Sequence, residues 1–166
     1  MANKDLQHEE IKKFKELAEG VRICMFTTFN EKNELSSRPM ATVDIDDKGD
    51  VWFFTNEHSK KVEEVSEDYT VHLIYSHPGK NIFLNVKGQC EIVEDKNKIK
   101  ELWNPVYEAW FPEGLNDPNL CLAKVKTEEA VFWNSDTTKM GVIFSIIKAV
   151  VTREKFKEGE KGKLDL

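Results

Sequence analysis

The sequence is short of the residues from which covalent and metal scaffolds are built. Its three cysteines, Cys24, Cys90 and Cys121, lie far apart, cannot all pair and include no C-x-x-C. Neither a disulfide framework nor a zinc knuckle is indicated, and the three read as reduced, mostly buried thiols. The four histidines, His8, His58, His72 and His77, form no H-x-x-x-H pair, so spacing along the chain supports no metal site. There is no G-x-G-x-x-G and no G-x-x-x-x-G-K-[ST], which sets aside dinucleotide-binding and P-loop readings. No apolar run approaches the roughly 18 residues of a membrane span, and residues 1–10 are polar and partly acidic, unlike a signal peptide. A cytoplasmic protein is expected. Lys and Arg number 24 against 30 Asp and Glu, and this net charge of −6 is the wrong sign for a general nucleic-acid binder. Any anion the chain holds must be met by a local cluster.

What is present fits one domain. A chain of 166 residues, 40% hydrophobic and 33% charged, can bury a sizeable core; residues 1–152 are assigned to it and 153–166 to a charged, solvated end in which Lys and Glu alternate. Leu6, Ile11, Phe14, Leu17 and Ala18 recur at helical spacing over 4–19, and Gly20 supplies a stop. The period then changes. Segments 21–29, 40–45 and 51–55 are short and rich in β-branched and aromatic residues, and polar turns separate them. A short helix is predicted over 59–66, then strands over 70–75 and 81–93, with Gly88 marking a bulge or bend. A helical region begins near Lys96 and breaks at Pro105; 121–133 and 142–152 read as closing strands. Strands in runs of three, two and two, with helices only between the runs, predict a mainly β fold: an antiparallel barrel with helical insertions.

The stretch richest in chemistry runs from Ser36-Ser37-Arg38-Pro39-Met40 through Val51-Trp52-Phe53-Phe54-Thr55-Asn56 to Ser59-Lys60-Lys61. Ser59 is a good helix N-cap, and the backbone N–H groups behind it, with Lys60 and Lys61 beside them, outline a phosphate site. Arg38 would reach the same phosphate as a forked donor if its strand pairs with 51–55. The plainer interpretation of this local pattern is a capped surface helix with two solvated lysines.

The order R-P-M, hairpin, W-F-F-T-N, S-K-K, a strand bearing V-K-G-Q-C and a late V-F-W resembles the pyridoxamine 5′-phosphate oxidase superfamily, in its bacterial general stress protein 26-like branch. The likeness spans about 21–147. It implies an FMN-binding split barrel in which Arg38, Ser59, Lys60 and Lys61 hold the FMN phosphate. It implies, too, that Pro39, Met40, Ala41, Phe54 and Thr55 belong to the cofactor-binding stretches, with Met40, Ala41, Phe54 and Thr55 along the ribityl chain and ring. Trp133 matches a late tryptophan that reaches the flavin of the partner subunit, so a homodimer is part of the implied site. Trp103, Tyr107 and Trp110 are read as plain core packing.

Two departures from the oxidases matter. Asp44 stands where they place a substrate lysine, and Lys139-Met140-Gly141 stands where they grip pyridoxamine phosphate. The expectation is therefore a flavin-dependent oxidoreductase of unknown substrate that is not a true pyridoxamine phosphate oxidase, with no nameable catalytic acid or base and no metal. Alternatives are a non-catalytic flavin carrier, sensor or scavenger, or the same barrel holding FAD, a deazaflavin or haem.

Overall fold

Alternation of apolar and polar side chains decides which way each strand faces, and in the computed structural model that alternation is wrapped into a barrel. The structure describes residues 2–29, 32–56, 69–134 and 160–165. Helix α1 (Ala2–Glu19) turns Ile11, Phe14, Leu17 and Ala18 inward and ends at Gly20, whose N–H donates to the Glu16 carbonyl. Strands β1 (Ile23–Phe29), β2 (Leu35–Ala41), β3 (Asp44–Ile45), β4 (Val51–Thr55), β5 (Tyr69–His77), β6 (Ile82–Val93), β7 (Cys121–Asn134) and β8 (Glu160–Asp165) follow. Between β6 and β7 lie helix α2 (Lys96–Leu102), capped by the Asp95 carboxylate, and two 3-10 turns at Pro105–Ala109 and Gly114–Asn116. The predicted helix over 59–66 and strand over 142–152 lie outside the described residues, as does the Lys139-Met140-Gly141 run.

All pairings are antiparallel, in the order β2-β1-β5-β6-β7-β4-β3, with β8 added on β7. Closure comes from one stretch of chain. Residues 35–45 run extended and change partners at Thr42-Val43: the Thr42 N–H donates to the Arg22 carbonyl just before β1, and the Val43 N–H donates to Trp52 in β4. The condition set for Arg38, that its strand pair with 51–55, is not met. Arg38 lies opposite Phe26 in β1, because β1 and β2 are neighbours in sequence and fold back as a hairpin, while only Asp44 and Ile45 reach β4.

Gly88 does mark a bulge. The β6–β7 register shifts between Lys87 and Gly88, and a Cβ there would run into the Lys126 carbonyl oxygen and lie 2.8 Å from Val125 Cγ1. The end of the chain departs from expectation. Rather than being solvated throughout, it supplies β8, which shares with β4 one edge of β7: β4 takes 121–125 and β8 takes 129–134. A single apolar residue explains this, since Leu164 is buried in the core while Lys163 pairs with Glu129 at 2.6 Å. Strand formation by charged residues is decided by such context, not by propensity.

The barrel interior packs Phe26, Phe53, Val71, Leu73, Tyr75, Leu84, Val86 and Val125 against α1. A second cluster covers the outside of β4: Trp52, Phe54, Leu120 and Leu122 meet Ile99 of α2 with Trp103, Tyr107 and Phe111. Trp52 is clamped there. Its indole N–H donates to Asp46, and Lys98 and Lys124 each lie 5.3 Å from its ring. Burial lowers the Lys124 pKa, but the carboxylates of Asp50 and Glu91 more than reverse this and leave it raised.

Candidate functional site

The residues expected to hold a ligand divide among three surroundings. Arg38 and Met40 alternate with Pro39 along β2, so they share the inward face. Met40 packs against the barrel core, and the Arg38 guanidinium carbon lies 5.5 Å from the centroid of the Phe26 ring. Thr55, at the end of β4, is buried and shares the face of Phe53. All three face the barrel interior, Arg38 and Met40 from β2 and Thr55 from β4.

Pro39 and Ala41 point the other way. They lie opposite Met25 and Ile23 on the outside of the barrel. Trp133 is on this outer face too, opposite Phe83 and four strands away from β2 along the sheet. One chain therefore does not bring Trp133 and Arg38 to the same side of the sheet. Phe54 turns its ring into the second cluster, within 6.2 Å of the Trp103, Tyr107 and Phe111 rings, which leaves its backbone toward the barrel. Ser59, Lys60 and Lys61 lie outside the described residues. Trp103 and Tyr107 are packing residues as expected, but Trp110 is not: it is 64% exposed, because its 3-10 turn carries it past the cluster that buries its neighbours.

Two features escaped the sequence. The first is a cleft of about 350 Å³ at the strand switch, lined by Glu19, Arg22, Thr42, Val43, Asp44 and Ile45. Its lining joins the end of α1 to the residues directly after Ala41, and it holds two carboxylates and one guanidinium. Nothing in the sequence marks Arg22, which sits in the left-handed region at φ 65° with its carbonyl closing the barrel. The second is the outer face itself. Of ten large apolar side chains exposed among the described residues, seven share it: Ile23, Met25, Phe29, Leu35, Ile74, Phe83 and Trp133. Exposed apolar side chains gathered on one face mark a candidate interaction surface.

Two buried titratable groups, Cys24 and Tyr75, lie near the strand switch. Burial pushes the Cys24 thiol up to about 12, and burial together with the neighbouring Cys24 raises Tyr75 well above the ordinary phenol value. The Tyr75 hydroxyl is engaged with Thr42 Oγ1 at 2.7 Å. Neither ionises near neutrality, so neither supplies a nucleophile or a base. Among the described residues no group of His, Cys, Asp and Glu is arranged to hold a metal, and no helix is long and apolar enough to cross a membrane.

Known proteins share this architecture. A crystal structure of a candidate general stress protein 26 from Jannaschia sp. CCS1 superposes with a TM-score of 0.70 at 24% identity, covering 98% of each chain. The general stress FMN/FAD binding protein of Xanthomonas citri gives a TM-score of 0.65 at 26% identity, over 81% of this chain and 92% of that one. Among curated proteins, protein bli-3 of Neurospora crassa is 26% identical over 141 residues, which span 79% of this chain and 68% of bli-3. The family model described as pyridoxamine 5′-phosphate oxidase like matches residues 9–157. An antiparallel barrel of this topology, matched along nearly its whole length by that model, places the chain in the pyridoxamine 5′-phosphate oxidase-like family.

Proposed function

We propose that this protein binds FMN non-covalently as a homodimer and acts as a flavin-dependent oxidoreductase. The observation that carries the reading is Arg38, a guanidinium held against an aromatic ring on the inner wall of a barrel, ready to fork onto phosphate oxygens. Lys60 and Lys61, which follow in sequence, are assigned the remaining positive charge, and Ser59 a backbone N–H donor site, on the resemblance alone. Membership of the family and likeness to a protein described as FMN/FAD binding support the same cofactor class.

The described residues fit a flavin nucleotide. Arg38 suits a phosphate; Met40 and the buried Thr55 offer an apolar wall and a hydroxyl beside it. A bound flavin supplies hydride transfer, and the protein supplies position, shielding and charge. The cleft after Ala41 carries Glu19 and Asp44 against Arg22, a negative balance that disfavours a phosphate-ester substrate and supports a role other than pyridoxamine phosphate oxidation.

Self-association follows from the outer face. Seven exposed apolar side chains need a cover, and a second copy of the chain placed two-fold across them is the occupant proposed here. Heat release of the ligand from purified protein, identified by mass and fluorescence, tests the reading. FMN at close to one per chain is expected; protein that is colourless and takes up no added FMN at micromolar concentration would sink it.

A further inference from the structure

Phe26 is almost wholly buried, and its ring has two different partners. Toward the lumen it meets Phe53 of β4 edge to face, with centroids 5.6 Å apart and planes at 90°. Toward β2 it meets the Arg38 guanidinium at 5.5 Å, directly across the β1–β2 pairing. The two rings thus bridge the barrel from β4 to Arg38. Both are locked by packing, because Phe53 is fully buried. Strand β4 ends at Thr55, four residues before Ser59 in sequence.

We propose that Phe26 is a positioning residue for Arg38: its face, braced by Phe53, holds the guanidinium in one place before ligand arrives and so confers preference for a phosphorylated flavin over riboflavin. This rests on the reading that Arg38 meets the FMN phosphate. The physics is preorganisation. An arginine on a strand samples many rotamers, and ordering it on binding detracts from affinity; a ring face that attracts the cation removes much of that loss in advance. Leucine would fill most of the same space but offers no π face. Cross-strand aromatic–cation pairing is therefore separable from simple packing.

Binding of FMN and of riboflavin is measured by flavin fluorescence for the parent, Phe26→Leu, Phe26→Met, Arg38→Ala and the double variant Phe26→Leu/Arg38→Ala. The expected result is that Phe26→Leu weakens FMN about 5-fold, the scale of one cation–π contact, while riboflavin changes less than 2-fold. In the Arg38→Ala background the same change should leave the FMN-to-riboflavin ratio untouched. Phe26→Met serves if the leucine variant does not fold. Equal weakening of both ligands, or an undiminished effect without Arg38, overturns the positioning role and leaves the phosphate reading standing. An FMN affinity unmoved by Arg38→Ala alone overturns the phosphate reading, and the inference with it.

Discussion

At the scale of single residues, Arg38 and Cys24 show what local chemistry decides. Arg38 precedes proline, which keeps its backbone extended, and it does lie in a strand. That much was legible from the dipeptide; its partner strand was not, because pairing depends on which neighbour the turn reaches. Arg38→Lys keeps the charge but loses the fork, so FMN affinity should fall several-fold, and Arg38→Ala should cost on the order of 10-fold or more. Ligand-free stability should fall by only about 0.5–1 kcal/mol, the loss of one partly exposed cation–π contact, as urea titration would show. Cys24 governs behaviour in alkali. Its folded pKa of about 12 lies above the usual thiol value, and Tyr75 is shifted the same way. Both favour the native state fully below their unfolded pKa values, and that contribution is lost as pH rises from about 9 toward 12. The denaturation midpoint should hold steady up to about pH 9 and then decline, with a shallower slope in Cys24→Ala; a flat profile to pH 11 would contradict the shifts.

At the scale of elements, the periodic segments were readable and the aperiodic ones were not. Helix α1, strands β4 to β7 and the bulge at Gly88 follow from helical spacing, β-branched and aromatic enrichment, a glycine stop and an interrupted strand. Strand β2 opens on Leu-Ser-Ser-Arg, which has no apolar alternation, and β8 is Glu-Lys-Gly-Lys-Leu-Asp with a single buried anchor. Both exist because a ladder was waiting for them. Gly88→Ala pushes a methyl into the Lys126 backbone and should destabilise by about 1–3 kcal/mol, more than an ordinary glycine-to-alanine change in a strand. Leu164→Ala should cost about 2 kcal/mol, whereas a truly solvated end would lose nothing. Chemical denaturation of the two variants separates these cases. Asp95 accepts from the Asn97 and Lys98 amides, so Asp95→Ala should cost about 1 kcal/mol through α2 alone.

At the scale of the whole molecule, the site residues can be understood only with two faces in view. The sequence placed Arg38, Met40, Thr55 and Trp133 in one list, but a sheet separates Trp133 from the others, and no single-chain pattern reveals this. The outer patch went unnoticed because an exposed Met25 or Ile74 looks, residue by residue, like the polar half of an alternating strand that failed to be polar. Charging the patch tests its role. Met25→Lys or Phe83→Lys should shift sedimentation at micromolar concentration from dimer to monomer and lower FMN occupancy together. Monomers that retain full FMN affinity would show that the partner adds nothing to the site.

The partner switch at Thr42 and Val43 has a consequence for motion. Two consecutive amides fasten the same wall to opposite margins of the sheet, one to Arg22 and one to Trp52, so neither bond can break alone without the wall beginning to unzip. Their protons should exchange with solvent at one shared rate, set by the opening of the barrel and not by local fraying. A ligand gripping Arg38 and Met40, a few residues upstream on that wall, would act as a clasp and slow both exchanges equally, which amide hydrogen exchange with and without FMN would detect. The wall is then a reporter: the time for which those two protons survive is a measure of how firmly the barrel is shut.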